Sequence, residues 1–428
     1  MTVLTTIRPA RIGRLSTTAA LYLQASIVVA LLAGSSAPTP LYAVYQAEWG
    51  FSPITTTVVF GVYAIAVLAA LLTVGSLSDH IGRRPVLLAA LAVQAPIMLV
   101  FATAHGVPEL MFARIAQGLS TGAAIGAVGA GMLDLDRVKG TTLNAVAPMT
   151  GTASGALLSG LLVEFLPEPT HLVYAMLFGI FVAQGLGVLL MRESSSPRTG
   201  ALASLRIQFA MPENVRRHVL VAIPALVAVW SLAGFYGSLG PTLVRILSGS
   251  DSFVLAGLSL SALAGAAAVT VLLCRNAQPR PLMLAGMLAL ILGVGVTLVA
   301  ISLSSTIVLF AGGIVAGAGF GGGFQGSIRT VVPLVAPHER AGVLSLMFVV
   351  SYLAMGLPAV IAGFLVVDVG GVLATAREYG VAVIVLAAIA AIGLALTRRG
   401  SQNGQISINS GQGSTEAPEG VERVAARA

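Results

Sequence analysis

The stretch Gly75-Ser76-Leu77-Ser78-Asp79-His80-Ile81-Gly82-Arg83-Arg84-Pro85 decides how the rest of the chain reads. It sets an acid, a pair of arginines, a pair of glycines and a proline between two long apolar runs, 54–76 and 85–104. Each run has about the ~20 residues that a helix needs to cross roughly 30 Å of hydrocarbon. Gly75 permits close helix approach and Gly82 a tight turn, so the stretch reads as a charged loop at a membrane surface.

The same pattern recurs outward from that loop. The chain has 428 residues, 57% of them hydrophobic and 9% charged, with a mean hydropathy of +0.95, whereas soluble domains carry about 25% charged residues. Twelve apolar spans are predicted, at 19–45, 54–76, 85–104, 108–133, 141–165, 171–191, 217–241, 252–274, 281–302, 305–332, 341–367 and 377–397. Arg8, Arg11 and Arg14 before the first span resemble the start of a signal peptide. The apolar run continues past Pro38 and Pro40 to Tyr45, which is too long for a signal core, so an uncleaved first helix is expected. The spans divide into a bundle over 19–191 and a second over 217–397. Flanking them are an N-terminal segment (1–18), a linker (192–216) and a polar, Gly-rich tail (398–428) expected to be disordered.

Basic residues set the orientation. With the N-terminus inside, Arg83, Arg84, Arg137, Lys139, Arg192, Arg198, Arg275, Arg280 and Arg340 fall beside cytoplasmic loops. Only Arg245 and Arg377 then face outward, and both termini are expected in the cytoplasm. The basic balance therefore reads as topology, not as a nucleic-acid surface. Cys274, the single cysteine, excludes an intrachain disulfide and a thiolate cluster. Lys139 is the one lysine among many arginines, and Ala, Gly and Val are abundant, which points to a GC-rich bacterial genome. A bacterial inner membrane is the expected location.

The pattern G-x-L-S-D-x-x-G-R-R-P resembles the loop between the second and third membrane helices of the major facilitator superfamily. Arg114-Ile115-Ala116-Gln117-Gly118 followed by Gly122 is similar to a second motif of that superfamily, R-x-x-Q-G-x-x-x-G in the fourth helix. The halves also echo one another. Arg84-Pro85-Val86-Leu87-Leu88-Ala89 parallels Arg280-Pro281-Leu282-Met283-Leu284-Ala285, and Gly118, Gly122 and Gly126 parallel Gly313, Gly317 and Gly321. The resemblance implies an all-α membrane protein with twelve transmembrane helices in two six-helix pseudo-repeat bundles. It also implies a substrate site between the bundles.

Specific roles follow from that resemblance. Gly75, Asp79, Gly82, Arg83 and Arg84 would form a gating loop, with Asp79 near the start of span 11 at about Glu339 to Gly342, where a helix dipole stabilises an anion. Arg114, Gln117 and Gly118 would form an intramembrane motif, and a cation inside a span is paired or faces a wet cavity. The fifth span carries Gly155 and Gly160 but lacks the Gly-Pro pair of drug–proton antiporters.

No acid lies at the centre of a span, so the candidates for proton coupling are Glu164, Asp134 and Glu109, all at helix ends. Pocket candidates on spans 1, 4, 7 and 10 are Gln24, Ser35, Thr39, Thr121, Trp230, Tyr236, Phe320, Phe324 and Gln325, with Tyr63 and Tyr352 beside them. Rings, amides and hydroxyls without a central charge suit a neutral or amphipathic organic molecule.

Zinc-protease and P-loop motifs are absent, so no enzyme, cofactor or metal is expected. The expected function is export of a drug-like or metabolite small molecule by a monomer, in exchange for protons. The alternatives are an importer or facilitator of a small neutral nutrient, and a membrane enzyme or receptor that reuses the fold.

Overall fold

The computed structural model describes residues 15–207, 209, 211–336 and 339–411. The N-terminal arginines and the tail beyond 411 lie outside the described residues. No strand occurs among the described residues. The first crossing is α1 (Thr17–Ser36) continued by α2 (Pro38–Trp49). Next come α3 (Pro53–Val74), the short α4 (Ser78–Ile81), α5 (Arg83–Ala102), α6 (Val107–Leu135), α7 (Arg137–Phe165) and α8 (Pro169–Leu189). After a 3-10 turn at Ala203–Leu205 follow α9 (Glu213–Ser238), α10 (Gly240–Ser248), α11 (Phe253–Leu273), α12 (Pro279–Leu303) and α13 (Thr306–Val331). The chain ends with α14 (Arg340–Leu365), a π-helical turn (Val366–Gly370) and α15 (Gly371–Gly411).

Local chemistry explains where these helices start and stop. Ser16, Asp136, Ser252 and Ser305 cap α1, α7, α11 and α13 by accepting first-turn backbone N–H groups. Prolines stand in the first turn of α2, α3 and α12, where a missing N–H costs nothing.

Among the described residues, eleven stretches are long and apolar enough to cross a membrane, the last being Arg340–Leu396 with 57 residues. At 1.5 Å per residue it would measure about 85 Å if straight, far beyond roughly 30 Å of hydrocarbon. It therefore holds two crossings, α14 and α15, parted where Gly371 adopts φ +76°. Tyr379 Oη donates to Ser231 O at 2.7 Å, and Gly393 lies beside Val221, so α15 runs antiparallel to α9. Among the described residues the crossings number twelve, as expected from the sequence.

Some expected boundaries move. The first crossing reaches Trp49 rather than 45, the seventh begins at Glu213, and α15 runs to Gly411 rather than stopping at 397. The first crossing continues through Pro38 and Pro40 as expected, these prolines standing in the first turn of α2, and runs four residues further than 45.

Equivalent glycine stripes do equivalent work in the two halves. A Cβ on Gly118 or Gly122 of α6 would come within 2.6 Å of Ala66 Cβ or 2.5 Å of Val67 O on α3. One on Gly317 or Gly321 of α13 would come within 2.2 Å of Leu263 O or 2.6 Å of Ala267 O on α11. Hydrocarbon solvent gives helices no hydrophobic reason to associate, so backbone proximity and dispersion supply it. Gly313 differs from the expected pattern, since it faces the Tyr236 ring at 3.6 Å with room for a methyl group.

The halves meet where α3 packs on α14 and α7 on α11. One end of the bundle carries the linker, the Asp79 loop and the start of α14, and is here the linker end; the other is the far end. Hydrogen bonds cross the seam from Thr39 Oγ1 to Gly237 O (3.4 Å), from Ser261 Oγ to Ala153 O (2.7 Å) and from Ser252 Oγ to Glu164 Oε2 (2.6 Å). All three lie toward the far end, where α2 also packs on α10 and α11. The halves are zipped together there.

Candidate functional site

The linker end is organised around Arg83, which is buried although charged. Its guanidinium pairs with Asp79, bonds Asp134 Oδ2 at 3.2 Å and donates to Ser78 Oγ at 2.8 Å. Arg83 thus ties the acid to its own half, and Asp79 spends its ion pair within the loop.

Glu193 completes this end. Its carboxylate accepts from Arg83 N at 2.8 Å, Arg84 N at 3.0 Å and Ser195 N at 3.1 Å. It therefore satisfies N–H groups at the start of α5 that no helical partner reaches. Gly82, at φ +104°, leaves the space: a Cβ there would come within 2.6 Å of Glu193 Oε2. Arg84 Nε donates to Val188 O at 3.1 Å near the end of α8, and Gly75 O lies 2.9 Å from the Cβ position of Gly126. Glu193→Ala is expected to cost about 1 kcal/mol, the usual worth of a helix cap. A thermal melt of the detergent-solubilised protein measures it, with Glu193→Gln falling between the two.

Arg114 sits inside the first half, fully buried. Its Nη1 donates to Ser35 O and to Gln117 Oε1, both at 2.8 Å, and Nε donates to Tyr42 Oη at 3.2 Å. The rings of Tyr42, Tyr63 and Phe101 lie 5.7, 5.3 and 5.9 Å from its guanidinium carbon. Gln117 passes the contact on by donating to Gly34 O at 3.0 Å. Neutral acceptors and ring faces, rather than a carboxylate, carry these contacts, and the side chain does not reach for the membrane surface. Tyr42 is absent from the sequence-based candidates, although it lies two helical turns after Ser35.

A third cluster lies on the seam between the halves. Trp230 of α9 stands 5.7 Å from Phe320 and 5.6 Å from Phe324, both of α13, and 5.5 Å from Tyr352 of α14. Tyr63 and Val67 of α3 join the same packing from the first half. Ring pairs at these separations are in direct edge-to-face or tilted contact and together present one apolar aromatic surface. Several interior polar atoms have no hydrogen-bond partner among the described residues: Trp230 Nε1, Gln325 Oε1 and Gln24 Oε1. Unpaired buried polar atoms are costly in a stable interior and useful where a ligand supplies the partner.

The remaining candidates separate. Ser35 and Gln117 belong to the Arg114 shell, and Thr39 to the far-end closure. Tyr236 bonds Thr297 Oγ1 at 3.2 Å inside the second half, Gln24 bonds Met191 Sδ at 3.8 Å, and Gln325 bonds Val271 O at 3.3 Å. Among the acids, Asp134 is held by Arg83, Glu109 lies exposed in the first turn of α6, and Glu164 contacts the other half. The structure brings none of the three to the seam cluster.

Comparison with known proteins agrees with this architecture. The Major Facilitator Superfamily matches residues 25–357. Cephamycin export protein CmcT of Amycolatopsis lactamdurans is 31% identical over 141 residues, covering 32% of this chain and 29% of that protein. Among solved structures, a mutant of the nucleoside transporter NupG gives a TM-score of 0.68 at 15% identity, covering 87% of this chain and 99% of that one. A bacterial homolog of the human lysosomal transporter Spinster, solved inward-facing and unoccupied, gives 0.69 at 14% identity, covering 90% and 97%. Identities this low speak for the fold alone. With twelve membrane crossings among the described residues, in two like halves, and a family match over most of its length, the chain belongs to the Major Facilitator Superfamily and is a multi-pass membrane protein.

Proposed function

We propose that this transporter exports an uncharged or amphipathic aromatic molecule by alternating access, in exchange for protons. The observation that carries this reading is the Trp230 cluster, because it combines second-half rings and Tyr63 of the first half with the unpaired Trp230 Nε1 and no carboxylate. A site of that kind rewards flat apolar surface and a hydrogen bond or two. The CmcT match supports the direction, since that relative is an export protein. The loop arginines support cytoplasmic placement of both termini in a bacterial inner membrane. The linker end is then the cytoplasmic end, and closure at the far end corresponds to an inward-facing state, as in the Spinster homolog.

The test uses inverted vesicles carrying a respiration-driven pH gradient, read with a fluorescent probe. Lipophilic cations, neutral aromatic antibiotics and simple sugars are added in turn. Collapse of the gradient by aromatic compounds is the expected result. Trp230→Ala is expected to raise their half-effective concentration about tenfold, the equivalent of ~1.4 kcal/mol. A response to sugars alone would move the reading to nutrient transport, and no response would remove the proton exchange.

A further inference from the structure

Glu164 is exposed at the end of α7, but its contacts do not stay within its own half. It lies in the last turn of α7, in the first half, yet its hydrogen bonds go to the second half. Ser252 Oγ donates to Glu164 Oε2 at 2.6 Å, and Val254 N donates to the same oxygen at 2.9 Å. Ser252 is the N-cap of α11 and also accepts from Leu255 N at 3.3 Å. One carboxylate oxygen therefore extends the cap of a helix that belongs to the other bundle. Fixed negative charge is favoured at this pole, where free N–H groups and the helix dipole coincide.

The surroundings give that contact leverage. A Cβ on Gly160, one turn earlier on α7, would come within 2.5 Å of Phe253 O, and one on Gly257 of α11 within 2.4 Å of Ala156 O. The two backbones touch directly beneath the carboxylate. Asp251, which precedes Ser252 in the chain, faces Arg245 Nε at 3.5 Å, which leaves the helix pole to Glu164. Any motion that opens the far end must draw α7 away from α11 and break both bonds to Glu164.

We propose that Glu164 is a latch: its carboxylate caps α11 across the seam, holds the far end shut and sets the balance between the two access states. This rests on the alternating-access reading. Ser252 is the other half of the device, and the glycines let the two parts meet. Glu164 then acts through its charge in the closed state, not as the carrier of a transported proton.

Spin labels on exposed far-end positions, Leu166 of the first half and Ile246 of α10, report the separation of the halves by pulsed electron resonance in the full-length protein, with Cys274 replaced by Ser. The unsubstituted Glu164 background is expected to show mainly the short distance. Glu164→Gln, which keeps size and loses charge, is expected to raise the ratio of long to short distances about fivefold. Ser252→Ala should shift it in the same direction, and the double variant should shift it by less than the product of the two.

A wedge variant, Gly257→Leu, separates the two ways of failing. If the wedge produces the long distance and Glu164→Gln leaves the ratio unchanged, the latch is wrong and alternating access stands. If neither variant yields a long distance, the alternating-access reading fails and the latch with it.

Discussion

Arg114→Glu is expected to leave no folded protein in the membrane, whereas Arg114→Met should fold with about 2 kcal/mol lost. The difference follows from the shell around the guanidinium. Ser35 O and Gln117 Oε1 are acceptors, and the Tyr42, Tyr63 and Phe101 rings present electron-rich faces. A carboxylate at this fully buried position would face the Ser35 and Gln117 oxygens and the ring faces, all of like-signed partial charge, with the Tyr42 hydroxyl left to donate to it. Methionine removes the cation and its desolvation cost, but leaves interior acceptors without donors at ~1–3 kcal/mol each, which outweighs the relief.

Arg114→Lys should be intermediate, because an ammonium is a compact point charge and cannot spread flat donors to Ser35, Gln117 and Tyr42 together. Membrane yield and the melting temperature of the purified protein check all three. A well-folded Arg114→Glu protein would overturn the claim that the shell is built for a cation.

The second large effect belongs to the α7–α11 contact. Gly257→Leu is expected to shift the far-end separation toward the open state by about fivefold to 150-fold, since overpacking a tight contact costs roughly 1–3 kcal/mol. The reason is local, because the Cβ alone would fall 2.4 Å from Ala156 O. Gly265 on the same helix provides the control. A Cβ there meets Ala153 Cβ at 3.9 Å, an ordinary contact, so Gly265→Ala should change nothing. The Leu166–Ile246 label pair reads both. Equal behaviour of the two glycine variants would show that the closed far end does not depend on backbone contact at this seam.

Much of this protein is legible in one dimension because lipid imposes a one-dimensional rule. A crossing needs a contiguous apolar run, so the twelve spans, the two halves and the charged loop at Asp79 can be read by counting. The glycine stripe on α6 was legible for a related reason, since i, i+4 spacing places small residues on one face. Arg114 stood out because a cation inside a span is rare.

Partnership was not legible, because it joins residues far apart along the chain. Glu193 reaches the start of α5, Tyr42 reaches Arg114, and Glu164 reaches Ser252 in the other half. As letters these are an acid beside a linker, an aromatic in an apolar run and an acid at a helix end. Their local sequence carries the element and its depth in the membrane. The helix pole, ring or guanidinium that each one satisfies is set by how the helices cross, and only the packed bundle determines that.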